Sequence, residues 1–467
     1  MRRRNFLTSA AVGGLALSFG GFLRRAEAFV ADGSLAKLKA TGYGELLPAA
    51  AKNTGEKLLL LPRGFEYNVL GRKGDLMKDG RKTPTRHDGM AAFAVRGEIR
   101  IVRNHEVNDR KPKTDSAIGS KNHYDDQAGG GTTTLIINPK TNELIADFVS
   151  LSGTLTNCAG GATPWGSWIS CEETTRGKIV HIDKAGLQAG GFNKPHGYCF
   201  EVSASANTNS PPVPLKAMGR FSHEAVAVDA RNGVVYLTED SSPFCGFYRF
   251  LPNRRGRLIE GGRLEILAIK YKPNYNTRFG QNAGATFAAT WVTIDNPDPE
   301  SADTDEQSVF KQGARKGAAH FSKLEGCFAG ANGKVYFVSS VGGDAEGGQI
   351  WVYEPTTRDE GRLTLLFESP SRELLDMPDN ICLHPKTNLL FMCEDGNYAQ
   401  VSPSANYVRI LTTGGKIADF AKNIAPGFET SEFAGATFSP DGRTLFVNIQ
   451  EAGVTLAIWG DWKNFAA

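Results

Sequence analysis

One short plan recurs along this chain and leaves few architectures open to it. An acidic or polar residue opens an apolar strand, a turn containing Gly, Asn or Asp follows, and a second strand ends in acidic or polar residues. Ser222-His223-Glu224 leads through AVAVDARNG into VVYLTEDS, Lys323-Leu324-Glu325 through GCFAGANG into KVYFVSS, and Asp379-Asn380 through ICLHPKTN into LLFMCEDG. Glu432 leads through FAGATFSPDG into TLFVNIQE, and looser copies open at His87-Asp88 and Asn157-Cys158, which makes six. Opening residues 325, 379 and 432 stand 54 and 53 residues apart, whereas 224 and 325 are 101 apart, so an insertion is expected over about 256–315. A unit of about 40–50 residues with four strands is a propeller blade. The predicted fold is all-β, a single six-bladed β-propeller over residues 29–467 with inserted loops and short helices.

Residues 1–28 read as an address. Arg3-Arg4-Asn5-Phe6-Leu7 precedes an uncharged run from Thr8 to Phe22 and then Ala26-Glu27-Ala28, the order of a twin-arginine signal with its cleavage site. The run is shorter than the roughly 20 residues that span a bilayer. Recognition by the twin-arginine export machinery and a periplasmic or secreted location are expected. Seven cysteines (158, 171, 199, 245, 327, 382 and 393) include no C-x-x-C pair, and an odd count leaves at least one outside any intrachain bridge.

The net charge of +3 comes from the leader, whose removal leaves 48 basic against 49 acidic residues. Nucleic-acid binders replace counterions with a basic excess, which is absent here, so no nucleic-acid partner is expected.

If the opening segment of each repeat is its innermost strand, the strand starts and the ends of the second strands converge on one face. The inner set is Asp88, Cys158, Glu224, Glu325, Asp379 with Asn380, and Glu432; the strand-end set is Glu106, Glu172 with Glu173, Glu239 with Asp240, Glu394 with Asp395, and Glu451. A ring of about ten carboxylates raises its own pKa values unless cations sit among them. Oxygen ligands suit calcium, and the thiol of Cys158 suits a transition metal, with iron expected.

The run SLSGTLTNCAGGATPWGSWISCEET (150–174), with RNHE at 103–106, FSHEA at 221–225, CEDG at 393–396 and EFAGATFSPDGRTLFVNIQ at 432–450, resembles the PhoX-type alkaline phosphatases across residues 50–460. The resemblance implies a six-bladed propeller whose axial site holds ferric iron (Fe3+) and calcium (Ca2+) with a bridging oxo group and hydrolyses phosphate monoesters, so the partner is a small-molecule phosphate ester. By motif, Cys158 resembles the cysteine iron ligand and Glu173 the carboxylate of the CEE segment; Glu224, Glu325, Asp379 and Glu394 resemble further ligands, with Asn380, Asp395, Glu106 and Glu432 behind them. The family's phosphate-contacting arginine, two residues before a glutamate ligand, is replaced here by Lys323, a point charge in place of a bidentate fork. The chain is more compact than the family's characterised phosphatases and is expected to be a monomer. In the implied mechanism a metal-bound oxide or hydroxide attacks phosphorus while Lys323 neutralises developing charge.

Two other classes share this architecture: a calcium-dependent lactonase or arylesterase, and a non-catalytic propeller in which calcium only staples the blades. Cys158 argues against the first, because a calcium-only site gains nothing from a thiol, while Lys323 in place of arginine keeps the second open. His87, His105 and His223 adjoin proposed site residues, but strand neighbours point to opposite faces, so structural roles are expected for them. Cys171, Cys393, Trp165 and Trp168 read as packing residues, and the glycine-rich stretches at 129–131 and 159–161 as turns.

Overall fold

Strands of alternating apolar residues, joined by tight turns, fold here into antiparallel meanders. In the computed structural model, residues 35–110, 122–183, 186–396 and 405–466 are described, and the twin-arginine leader expected over residues 1–28 lies outside them. No described helix is long and apolar enough to cross a membrane. The architecture is all-β and propeller-like.

Six meanders follow one another along the chain, each beginning with an inner strand. These inner strands are His87–Val95, Asn157–Ala162, His223–Val228, Leu324–Ala329, Pro378–Leu383 and Phe433–Phe438. Each packs against the next and the sixth against the first, so they surround one axis. Close approach is built into the sequence: a Cβ on Gly161 would lie 1.9 Å from the carbonyl oxygen of Val226, and one on Gly326 would lie 2.4 Å from that of Asp379. Only glycine fits such contacts.

Hydrogen bonding groups these meanders differently from the expected six separate blades. The first forms a four-stranded sheet and the second a three-stranded one. The third and fourth merge into one nine-stranded sheet, because Thr286–Thr293 pairs on one side with Gly262–Ile269 and on the other with Glu360–Glu368. This sheet nearly closes on itself, since its end strands His223–Val228 and Leu324–Ala329 pack side by side around the axis. The physical reason is edge protection: outer edges otherwise expose unpaired N–H and C=O groups, and a strand from the 256–315 insertion covers two at once. The fifth meander likewise gains Leu59–Pro62 and Leu46–Ala49 at its outer edge.

The ring is closed by sequence-distant segments. Glu66–Leu70 pairs with Val454–Trp459 and completes the sixth sheet. Behind that seam Phe65, Phe420, Phe438 and Trp462 pack edge to face, with Phe65 and Trp462 centroids 4.8 Å apart. Burial of each such ring contributes about 1.5–3 kcal/mol, so the closure is a principal stabilising contact. On the axis, the inner strands line a cavity of about 310 Å3 walled by small and apolar residues such as Met90, Gly160, Ala225 and Val226.

Candidate metal centre

All six inner strands share one irregularity. Pairing passes from His87–His105 to Met90–Arg103, from Asn157–Glu172 to Gly160–Ser170, from His223–Glu239 to Val226–Leu237, from Leu324–Ser339 to Cys327–Phe337 and from Pro378–Glu394 to Ile381–Met392. In each case the inner strand advances three residues while its partner advances two, which is a β-bulge. The bulged pairs are Asp88-Gly89, Cys158-Ala159, Glu224-Ala225, Glu325-Gly326 and Asp379-Asn380, so the bulge re-aims each proposed inner ligand. In the sixth strand the jump runs from Ala434–Asn448 to Thr437–Phe446, and the bulge holds Gly435 and Ala436, which offer no ligand.

A second regularity fixes the strand ends. The backbone N–H groups of Glu106, Glu173, Asp240, Ser340, Asp395 and Gln450 donate to the carbonyls of Arg86, Thr156, Ser222, Lys323, Met377 and Glu432, at 2.9–3.2 Å. Four of these acceptor residues hold positive φ: Arg86 (48°), Thr156 (48°), Lys323 (45°) and Met377 (46°). Non-glycine residues avoid that region, and strain of this kind clusters at functional sites. By this hydrogen bond Glu432 corresponds to Lys323 and Arg86, and it stands three residues ahead of Gly435, the first residue of the sixth bulge.

It also separates the acidic doublets. Glu173, Asp240 and Asp395 occupy the position facing the ring, while their neighbours turn into the sheets. Glu172 accepts hydrogen bonds from Leu155 N (2.9 Å), Gly197 N (2.8 Å) and Tyr198 N (3.1 Å) and contacts His196 Nδ1 (2.6 Å). Glu239 accepts from Gly246 N and the Tyr248 hydroxyl, both 2.8 Å. Glu394 pairs with Arg409 Nε at 2.8 Å and accepts from Asp376 N and Tyr407 N at 3.1 Å.

Two groups of ligand atoms result, each with all members within 4.8 Å of one another: Cys158, Glu173 and Glu224; and Glu224, Glu325 and Asp379. Glu224 belongs to both. Cys158, Glu224 and Glu325 are buried, while Glu173 and Asp379 are partly exposed and open the cluster to solvent. Among the described residues no basic side chain forms an ion pair with Glu173, Glu224 or Asp379. Burial raises the pKa of Glu224, and Asp379 and Glu325 raise it further. Burial does the same to Glu173, with Asp240 and Glu224 adding to it, and to Asp379, with Glu325 adding to it. The Cys158 thiol is pushed up by burial and by Glu224 and Glu173. A thiol and four carboxyls that hold one another's protons form a donor set suited to cations, which would displace those protons.

Lys323 stands beside the second group, its Nζ 2.7 Å from Asp240 Oδ2 and 3.3 Å from Glu325 Oε1. Burial alone would lower its pKa, but Glu325 and Asp240 outweigh that and hold it raised, so it remains a cation. Glu325 also accepts from the Ser340 hydroxyl at 2.7 Å.

The remaining site candidates lie elsewhere on the ring. Asp88 and Glu106 both accept from Gln450 Nε2, at 2.9 and 3.1 Å, and Glu106 pairs with Arg86 at 3.1 Å. Asp395 hydrogen-bonds Glu432. Asn380 donates to Asp379 Oδ1 at 2.9 Å and accepts from Gly435 N, tying the fifth strand to the sixth. Neither Glu394, Asp395, Glu106, Glu432 nor Asn380 is brought into the two groups. His87, His105 and His223 contact the carbonyls of Pro84, Thr85 and Gly219 at 2.9–3.0 Å and stand outside the groups as well.

Residues 41–147 and 139–453 match the family model described as Alkaline phosphatase PhoX. The chain belongs to the PhoX alkaline phosphatase family. No curated protein matches it. Among solved structures, this PhoX-family chain is similar to a gluconolactonase of Xanthomonas campestris, XC5397, with 12% identity, a TM-score of 0.38 and coverage of 89% of this chain and 97% of that one. It is also similar to the PQQ domain of pyranose dehydrogenase from Coprinopsis cinerea, with 10% identity, a TM-score of 0.32 and coverage of 88% and 100%.

Proposed function

We propose that this PhoX-family chain is an exported, metal-dependent phosphatase that hydrolyses phosphate monoesters at the axial cluster, and that its six meanders are the six blades of one propeller. The recurrence of one bulge in all six inner strands supports the blade count. The observation that carries the function is Glu224, whose carboxylate belongs at once to a group containing a thiol and to a group containing only carboxyls.

The donor chemistry fits the implied metals. Cys158, Glu173 and Glu224 offer one soft and two hard ligands, suited to iron, and Glu224, Glu325 and Asp379 offer oxygen alone, suited to calcium. Bound there, such cations supply Lewis acidity toward phosphoryl oxygens and lower the pKa of a water. The chain itself contributes orientation and charge. Glu224 fixes the two groups side by side, the bulges hold the ligands rigidly, and Lys323 presents a permanent cation to the phosphoryl group. Asp240 and Ser340 keep Lys323 and Glu325 in place from the neighbouring strand ends.

The test is p-nitrophenyl phosphate turnover by the purified protein before chelation, after it, and after restoring iron and calcium. Turnover lost to chelation and regained with both metals is expected. Turnover that chelators leave untouched, or no turnover by metal-replete protein, would contradict the proposal.

A further inference from the structure

Beside the thiol-containing group, the molecule has a second polar cavity of about 410 Å3, within the usual size of small-molecule sites. It opens off Glu173, and its floor includes Thr156 and Ser222, the residues two positions before Cys158 and Glu224. Thr174, Thr175 and Arg176 form one wall, and Asp303 to Glu306 of the long insertion form the other. That second wall is anchored: Gln307 donates to the Ser241 hydroxyl and the Phe244 carbonyl, both 2.7 Å, and Asp303 accepts from Ile179 N at 3.0 Å and pairs with Arg220. The insertion is thus part of the site's boundary.

The lining of this cavity carries Glu173, Asp183, Asp303, Asp305 and Glu306 beside Arg176, and the cations in and around it are unequally matched. Arg220 is held by Asp303 and by the His196 and Thr175 carbonyls, and Lys311 by Asp305. Arg176 differs, because among the described residues its one ion-pair partner is Asp183 at 3.9 Å, beyond hydrogen-bond distance, and its side chain is 41% exposed. Arg176 is the one arginine or lysine among the described residues lining the cavity, three residues from a proposed metal ligand, and a guanidinium suits a carboxylate or phosphate.

We infer that this cavity receives the leaving-group half of the ester, and that Arg176 selects phosphate monoesters whose alcohol carries a second anionic group. The inference rests on the phosphatase reading above and names its substrate class. With the phosphoryl group at the cluster beside Glu173, the alcohol points into the cavity, and a carboxylate or second phosphate meets the guanidinium as a charge-assisted pair.

The experiment compares kcat/KM for p-nitrophenyl phosphate, 3-phosphoglycerate and fructose 1,6-bisphosphate in the wild type, Arg176→Ala and Arg176→Lys. Expected is a wild-type preference for both doubly anionic esters over p-nitrophenyl phosphate. In Arg176→Ala the ratio of each to p-nitrophenyl phosphate falls roughly 10-fold or more, chiefly through KM, and Arg176→Lys recovers part of it. A fall in the carboxylate arm alone or the phosphate arm alone identifies which anion is read. Equal effects on all three substrates, or none, would overturn the inference while leaving the phosphatase reading intact. A wild type that hydrolyses none of the three overturns that reading, and the inference with it.

Discussion

The two halves of the axial ring are built from the same bulged strands yet treat their acids in opposite ways. In the half contributed by the second to fifth inner strands, Cys158, Glu224, Glu325 and Asp379, with Glu173, converge into two groups that share Glu224. In the other half, Asp88 and Glu106 are bridged by Gln450, Glu106 is paired with Arg86, and the sixth bulge carries Gly435 and Ala436 in place of a ligand. In the first, Glu173, Glu224 and Asp379 have no basic partner among the described residues and only Glu325 meets Lys323, whereas in the second Arg86 and Gln450 meet the acids. The backbone device is common to both, so the difference lies in a few side chains: Gln450 where four of the other repeats place an acid, and Arg86 where the third offers Ser222.

This contrast is open to test, beginning with the largest effect. Glu224→Gln removes the shared carboxylate, and a loss of p-nitrophenyl phosphate turnover of roughly 100-fold or more is expected, together with loss of bound metal. Cys158→Ser discriminates between the groups: elemental analysis should show iron falling while calcium at Glu224, Glu325 and Asp379 is retained. Lys323→Ala is expected to lower kcat/KM about 10- to 100-fold with metal content unchanged, and steady-state kinetics beside elemental analysis separates those effects. In the other half, Gln450→Ala should lower the melting temperature while changing turnover less than about 3-fold, its expected cost being about 1–3 kcal/mol. A loss as great as that of Glu224→Gln would erase the distinction between the halves.

The acids also give that distinction a pH signature. Burial and Glu106 push Asp88 up to about 8, and burial and Asp240 push Glu325 up to about 7. A carboxyl whose folded pKa lies above its unfolded value near 4 binds more protons in the folded state. The stability these two carboxyls contribute to the chelated protein should therefore fall as pH rises from about 4 to 8. Calcium should flatten the part due to Glu325. His196 has its own window: burial would lower its pKa, but Glu172 and Asp125 outweigh it and raise it to about 9. Its contribution is full below about 6.5 and is lost as pH rises through 9. Thermal melts of metal-loaded protein from pH 6 to 9.5 should lose that dependence in His196→Gln.

The repeat could be read directly because each copy keeps an apolar strand, a turn and an acidic strand end, whatever its insertions. Cys158, Glu224, Glu325 and Asp379 were accessible for the same reason, and Glu173 through the resemblance of its CEE segment. The acidic doublets were not, because adjacent strand residues face opposite ways and only the bulge register decides which one turns inward. That is why Glu394 goes to Arg409 while Asp395 takes the ring-facing position. Glu432 was grouped with the inner ligands although it stands three residues before the sixth bulge at Gly435 and Ala436. Sheet merging was hidden because Thr286–Thr293 pairs across two meanders, a contact between sequence-distant edges that no local pattern announces. Arg176 carried no motif, and only the cavity sets it apart.

The most direct measurement is elemental analysis of unchelated wild-type protein beside Glu224→Gln. The account requires iron and calcium together in the wild type, at least two cations per chain, and depletion of both in the variant. A wild type without metal, or a variant that retains the full complement, would contradict the claim that Glu224 joins two cation sites.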